Sequence, residues 1–306
     1  LVPKQVKLGG NGPIMANALG GFGTQVTYVG CLGNPDIHQV FRELADACET
    51  YSICEPGHTD ALEFTDGKLM LGKIEILKEV NWENILAKLP LDKMVEILSR
   101  SQLISMLNWT MIPYMSEIWE KMLSEVLPKL GNTEKPLAFF DLCDPEKRNK
   151  EDIAKAMELI QRFEEHCRVI LGLNRKEASE IADVLGLTLS DKPENVSLEE
   201  ITRAIAEKLD IYCVVVHPVT EAGTVVDGQY YHVDGPYTSD PKLTTGAGDN
   251  FNAGFCLGQL LGLSPQQCLI TGTGTSGFYV RNMRSPKLNE LMGFLNLWSE
   301  NVGRDF

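Results

Sequence analysis

The stretch KLTTGAGDNFNAGF (242–255) places small residues and one carboxylate at the start of a helical pattern, in which Phe251 and Phe255 lie one turn apart. The first amides of a helix have no partner inside the helix and bind anions, and small residues let an anion come close. Asp249 fits two roles: a helix N-cap, or a base that deprotonates a hydroxyl while the amides hold a phosphoryl group. The small residues in front of it are Thr245, Gly246, Ala247 and Gly248.

Two other stretches match phosphate-binding motifs as text only. GKLMLGKI (67–74) begins like a P-loop, but Ile74 stands where Ser or Thr should hold magnesium, and the context is a hairpin. GTGTSG (272–277) follows a helical pattern rather than a strand, with no acidic residue about twenty positions on. We therefore interpret the first as a strand and the second as a close-packed, glycine-rich helix.

The elements that must position the 242–255 stretch alternate along the chain. Buried strands are predicted at 24–33, 102–109, 136–145, 168–174 and 211–219, and hairpins at 60–76 and 223–235. Helical patterns cover 37–48, 81–90, 91–101, 112–131, 150–167, two stretches before 210, 249–262 and 264–282. This alternation predicts an α/β fold with a mostly parallel sheet and helices on both faces.

Bulk composition limits the function classes. The 306 residues carry a formal net charge of −14, which argues against nucleic acid or an anionic membrane as a partner. Eight scattered cysteines include no CxxC pair, so we interpret them as reduced thiols of a cytoplasmic protein. No apolar run is long enough to span a membrane.

Three motifs together resemble the ribokinase-like, or pfkB-type, carbohydrate kinases. TTGAGDNFNAGF (244–255) resembles the C-terminal signature of that family, and GGNGPIMANALGGFG (9–23) is similar to its N-terminal signature. LNRKE (173–177) is similar to its N-x-x-E element. The resemblance covers essentially the whole chain, and it implies a three-layer α/β sandwich with a small β lid.

The resemblance implies a role for each motif. Asp249 would be the base, the amides of residues 246–249 would form the anion hole, and Asn174 and Glu177 would organise Mg²⁺ through water. Asn174 and Glu177 also fit a capping box at a helix start, which is a purely structural alternative. The implied sugar-binding residues are Gly9, Gly10, Asn11 and Asn108. The implied ATP-binding residues are Asn174, Thr220, Gly223, Thr245, Gly246 and Gly248.

The resemblance also implies a division of the chain. Residues 9–58 and 77–306 would form the α/β core, and residues 1–8 and 59–76 would form the lid over the sugar. In this family such a hairpin is often a dimer surface, so a homodimer through the lid is an open alternative. The first strand of the fold is expected upstream of Leu1.

The chain departs from the family pattern at three informative positions. Leu243 replaces an Asp that helps hold a monovalent cation, which leaves a requirement for such a cation open. Ile14 replaces an Asn that binds the sugar, which indicates either an unusual substrate or lost activity. His217 stands where a glycine-containing nucleotide turn is usual, and we interpret it as structural.

The sequence therefore predicts an ATP-dependent kinase that phosphorylates a hydroxyl of a sugar or a sugar-derived small molecule. One alternative keeps the fold and changes the acceptor to a nucleoside or a vitamin-like alcohol. Another is a ligand-binding relative without catalytic activity.

Overall fold

The computed structural model describes residues 6–64 and 67–306, and a six-stranded sheet lies at its centre. Strands β5 to β8 run parallel, and β9 and β10 continue antiparallel, in the spatial order β10-β9-β8-β7-β6-β5. The bounds are β5 Leu103–Leu107, β6 Leu137–Asp141, β7 Arg168–Leu173, β8 Cys213–Val216, β9 Glu221–Val226 and β10 Gln229–Asp234.

Two smaller sheets lie earlier in the chain. Strands β1 (Thr27–Gly30) and β2 (Glu49–Ser52) pair in parallel. Strands β3 (His58–Phe64) and β4 (Gly67–Lys73) form an antiparallel hairpin whose register pairs Phe64 with Gly67. The predicted turn at Asp66 lies partly outside the described residues, and residues 1–5 of the predicted lid segment 1–8 lie outside them entirely.

Helices cover both faces of the central sheet. Their bounds are α1 Asn11–Gly21, α2 Arg42–Ala47, α3 Trp82–Lys88, α4 Leu91–Ser99, α5 Met115–Lys121, α6 Lys150–Phe163, α7 Arg175–Val184, α8 Leu198–Leu209, α9 Ala247–Leu260, α10 Pro265–Asn282 and α11 Leu288–Glu300. Helix α5 continues into a π-helical turn at Met122–Val126. Other short 3-10 turns lie at Gln39–Phe41, Glu75–Glu79, Leu127–Lys129 and Pro145–Lys147.

Alternate residues of the central strands face two different cores. Phe140 of β6 packs in the core that contains α5 to α8, whereas its neighbour Phe139 packs in the core that contains α1, α9 and α10. In β7, Leu171 and Ile170 divide in the same way. Because successive side chains of a strand point to opposite faces, this division produces a helix–sheet–helix sandwich. The predicted fold class is confirmed.

Helices α9 and α10 pack very closely because glycines line their contact. A Cβ on Gly254 would lie 2.3 Å from the Thr275 hydroxyl, and one on Gly272 would lie 2.9 Å from the Phe251 ring. The GTGTSG stretch is therefore a packing surface inside α10, as predicted. Residues 67–73 of the GKLMLGKI stretch lie on β4, and Ile74 leads only into the short 3-10 turn at Glu75–Glu79, so the stretch is not a P-loop.

Two elements were not predicted. Strand β2, four residues long, pairs only with β1, and helix α11 follows the last helix predicted from sequence. All eight cysteines are described and are free thiols, five of them buried. Within the described ranges no helix is both long enough and apolar enough to cross a membrane.

Candidate active site

The turn before α9, residues 244–249, has a conformation that only glycine supports at its centre; we call it the glycine turn. Gly246 has φ 95° and ψ 0°, in the left-handed region. A Cβ there would lie 2.7 Å from the Tyr279 hydroxyl and 3.1 Å from Cδ1 of Ile14. The Gly246 carbonyl accepts hydrogen bonds from the Asn250 backbone (3.1 Å) and the Asn250 side chain (2.9 Å). The turn is therefore held from within and from two other helices.

Of the four amides of residues 246–249, one is bonded within the glycine turn and three have no backbone acceptor among the described residues. Ala247 N donates to Thr244 O at 3.1 Å, so this amide is used by the turn itself. The amides of Gly246, Gly248 and Asp249 donate to no backbone carbonyl in the described part of the chain. Of the four amides expected to form the anion hole, three therefore lack a backbone acceptor, and the amide of Ala247 is already used by the turn. Three N–H groups without a backbone acceptor at a helix start remain a suitable anion site.

Asp249 lies in the first turn of α9, partly accessible and close to the start of α1. Burial among protein atoms raises the pKa of Asp249 to about 7, while a hydrogen bond from the Asn11 side chain opposes the rise. Asn11 reaches Asp249 because α1 begins there, directly after Gly10 with φ 89°. A carboxylate with a pKa near 7 suits a general base at neutral pH. Asp249 makes no side-chain N-cap bond, since Gly246 occupies the N-cap position.

A second carboxylate, Asp141, lies at the carboxyl end of β6 and faces Asp249. It is 7% exposed, accepts a 2.6 Å hydrogen bond from Asn252 and a 3.0 Å bond from Cys143 N. Burial first, and then the Asp249 charge, raise the pKa of Asp141. Two nearby carboxyl groups of this kind disfavour being charged together.

Asn174 and Glu177 form the capping box at the start of α7. The Asn174 side chain accepts from Glu177 N at 3.0 Å, and the Glu177 carboxylate accepts from Asn174 N at 2.9 Å. The other Glu177 oxygen accepts from Asp144 N at 3.0 Å, which ties α7 to the loop after β6. Burial and the Asp141 charge raise the pKa of Glu177. The structural alternative weighed for this pair is thus realised, and its metal role stays a prediction.

His217 packs beside the glycine turn, against Phe251 and Gly248. Its ring stacks on Phe251 with centroids 4.5 Å apart, and its Cε1 would lie 3.3 Å from a Cβ on Gly248. Burial lowers the pKa of His217 to about 4, so the ring is neutral at physiological pH. This packing agrees with the structural role predicted for His217.

The remaining predicted residues fall into three groups. Gly9 and Gly10 are exposed ahead of α1, and Asn108 follows β5 with φ 65° while donating its amide to Asp141 O at 3.1 Å. Thr220 and Thr245 are exposed. Gly223 differs from expectation, because it is buried inside β9, opposite Val216, and the Tyr230 ring covers it. It is a strand residue and does not belong to the exposed turn that precedes β9.

Sequence reasoning missed Tyr279. This residue lies in the last turns of α10, and its hydroxyl donates to Thr245 O at 2.8 Å. Its helical spacing indicates only that it is buried, so the contact with the glycine turn had no signal in the sequence. Asn252 was missed for the same reason, since its partner Asp141 lies on a distant strand.

Comparison with known proteins agrees with this geometry. The family model for prokaryotic ketohexokinase matches residues 1–298. The chain belongs to this family. It is 30% identical to the ketohexokinase of Haloferax volcanii over 289 residues, and this alignment covers 94% of this chain and 75% of that protein. The predicted class, an ATP-dependent carbohydrate kinase of the pfkB type, is confirmed.

Solved structures share the fold at lower identity. The ribokinase of Arabidopsis thaliana, solved with ribose and ATP, superposes with a TM-score of 0.70 at 18% identity, covering 96% of this chain and 90% of that one. The adenosine kinase of Sinorhizobium meliloti gives a TM-score of 0.69 at 16% identity, covering 94% of this chain and 82% of that one. These structures agree with the three-layer fold of this member of the prokaryotic ketohexokinase family.

Proposed function

We propose that the protein transfers the γ-phosphoryl group of ATP to a hydroxyl of a ketohexose. The observation that carries this proposal is Asp249, with a pKa of about 7, beside the amides of Gly246, Gly248 and its own backbone. The choice of a ketohexose rests on the family, whose model is described as prokaryotic ketohexokinase.

In the proposed reaction, Asp249 accepts the proton of the sugar hydroxyl as its oxygen attacks the γ-phosphorus. The bond between the γ-phosphorus and the bridging oxygen breaks, and ADP leaves with that electron pair. The amides of Gly246, Gly248 and Asp249 stabilise the charge on the transferring phosphoryl oxygens. No covalent enzyme intermediate is needed. Asn11 keeps Asp249 oriented and favours its charged form through the hydrogen bond between them.

Asn174 and Glu177 suit a magnesium ion only through water. Both Glu177 oxygens accept backbone hydrogen bonds, and the described residues include no group of three or more His, Cys, Asp or Glu arranged to hold a metal. Mg²⁺ commonly keeps several waters and is bound largely by substrate phosphates, which this donor set permits. When bound, the ion would neutralise charge on the ATP phosphates.

The proposed ATP contacts are the exposed Thr220 and Thr245 with the glycine turn, and Leu243 supplies no carboxylate for a monovalent cation. The proposed sugar contacts are Gly9, Gly10, Asn11 and Asn108. Ile14 is 7% exposed and packs towards Gly246, so we propose that it supports the turn rather than lining the sugar site.

The β3–β4 hairpin is proposed as the lid over the sugar, together with residues 1–8, and as a homodimer surface. Residues 9–58 and 77–306 would form the core beneath it. The apolar side chains Phe64, Leu69 and Leu71 are 60%, 56% and 52% exposed, which is unusual for a free surface. Free cysteines and the use of ATP support a cytoplasmic location.

The test is ADP release from MgATP across a panel of acceptors: fructose, tagatose, glucose, ribose and adenosine. We expect release that depends on a ketohexose, with kcat/KM at least about tenfold above that for any other acceptor, since a site built for a hydroxyl pattern rejects others. Preference for adenosine or ribose would overturn the choice of acceptor. Thermal stabilisation by a sugar with no ADP release would instead indicate a binding protein without catalysis.

A further inference from the structure

The side chain of Tyr279, on α10, hydrogen-bonds the backbone of the glycine turn. Its hydroxyl donates to Thr245 O at 2.8 Å, and the residue is 6% exposed. The backbone beside this bond is anchored separately, because Lys242 N and Leu243 N both donate to Val280 O, at 2.8 and 3.3 Å. The Tyr279 bond is therefore not needed to attach the segment to α10.

The Tyr279 bond has a directional consequence. The peptide between Thr245 and Gly246 is trans, since the only cis peptide of the described residues is Asn34-Pro35. In a trans peptide the carbonyl and the N–H lie in one plane and point in opposite directions. Fixing the Thr245 carbonyl towards Tyr279 thus aims the Gly246 N–H away from α10, and that amide has no backbone acceptor in the described chain.

The next peptide, between Gly246 and Ala247, is held at both its carbonyl and its N–H. Gly246 O accepts from Asn250 N and the Asn250 side chain, and the N–H of the same peptide, on Ala247, donates to Thr244 O. Gly246 at φ 95° is the pivot between the two planes. Rotation of the first plane is therefore opposed on its carbonyl side by the Tyr279 hydroxyl.

We propose that Tyr279 is a positioning residue that aims the Gly246 amide at the phosphoryl group during transfer. This inference rests on the proposed function and adds a residue to it. The hydroxyl keeps its proton across the working range, because burial and the Asp249 charge raise the pKa of Tyr279 to about 12. A constant donor suits a role in orientation, which needs no proton transfer.

Tyr279→Phe removes the hydroxyl and keeps the ring. Without the hydroxyl, the Gly246 amide would no longer be held in its direction, and this should weaken its bond to the transition state more than substrate binding. We therefore expect kcat to fall about 10- to 100-fold while KM for ATP and sugar stays within about threefold. The control is Tyr212→Phe, which removes a hydroxyl bonded to Gln259 at 3.3 Å next to the amino end of β8. We expect this variant to keep the kcat of the unaltered protein.

A binding measurement supplies a second readout. Calorimetry with ADP and aluminium fluoride, which mimics the transferring phosphoryl group, should show Tyr279→Phe losing affinity for the mimic in proportion to kcat, with affinity for ADP alone unchanged. A kcat within about twofold of the unaltered protein, equal losses for ADP and mimic, or failure of the variant to fold would each overturn the inference. Absence of turnover in the unaltered protein would overturn the proposed function instead.

Discussion

The Asn11 side chain hydrogen-bonds the Asp249 carboxylate, which joins the first residue of α1 to the first turn of α9. The two sequence signatures, GGNG and TTGAGD, are thus joined by this hydrogen bond although they lie in opposite halves of the chain. A hydrogen bond to a charged acceptor favours the charged form, so this contact opposes the rise that burial imposes on the pKa of Asp249.

Asn11→Ala tests this effect of Asn11 on the pKa of Asp249. We expect the acid limb of kcat/KM, which should have a midpoint near the Asp249 pKa of about 7, to move upwards. A hydrogen bond to a charged group is worth about 1.5–3 kcal/mol, so a shift of about one to two pH units is expected. The matched control is Asn17→Ala, further along α1. An acid limb that stays in place in Asn11→Ala would contradict the role of this bond.

Asp249→Asn should become increasingly more stable than the unaltered protein as pH rises. The unfolded carboxyl titrates near 3.8 and the folded one near 7, so the native state holds an extra proton between those values and loses this stability as pH increases. Because Asn cannot ionise, its advantage in unfolding free energy should grow by roughly 1–3 kcal/mol from pH 5 to pH 8. Urea unfolding at both pH values measures this. An advantage independent of pH would contradict the raised pKa.

Gly246→Ala should disrupt the glycine turn, and Gly262→Ala serves as its control. Both glycines have positive φ, 95° and 67°, but a Cβ on Gly262 meets no atom within 4 Å, whereas one on Gly246 meets the Tyr279 hydroxyl at 2.7 Å. The left-handed conformation alone costs about 1–2 kcal/mol. We therefore expect this loss of stability in both variants, and a further loss with nearly abolished turnover in Gly246→Ala alone. Equal effects of the two changes on melting temperature and kcat would be the contrary result.

Leu71→Lys should separate the proposed dimer. Register and strand alternation put Leu62, Leu69 and Leu71 on one face of the hairpin, with Met70 on the other. Sedimentation velocity should give a dimer for the unaltered protein and a monomer for Leu71→Lys. Met70→Lys, which changes a residue that is 48% exposed, is the matched control and should stay dimeric. A monomeric unaltered protein, or dissociation by either change alike, would contradict the surface.

Most of the fold could be predicted because periodicity and turn residues mark its strands and helices. Strand β2 escaped because its four residues, ETYS, are polar and become a strand only by pairing with β1. Helix α11 had a usable signal, since Pro286 precedes it and Glu290, in its first turn, accepts a 2.9 Å hydrogen bond from Lys287 N. The site was found from its glycines and Asp249, whereas the Ala247 bond to Thr244 and the Tyr279 bond to Thr245 depend on backbone orientation and on distant packing.

The central claim is that Asp249 removes the proton of the acceptor hydroxyl. The most direct measurement compares Asp249→Asn with the unaltered protein for ketohexose-dependent ADP release at pH 8 and for MgATP affinity by calorimetry. We predict a fall in kcat of about 10²- to 10⁴-fold with MgATP affinity nearly unchanged, as expected for loss of a general base. Retention of more than about a tenth of the turnover would contradict the account, because loss of a general base lowers the rate by about 100-fold or more.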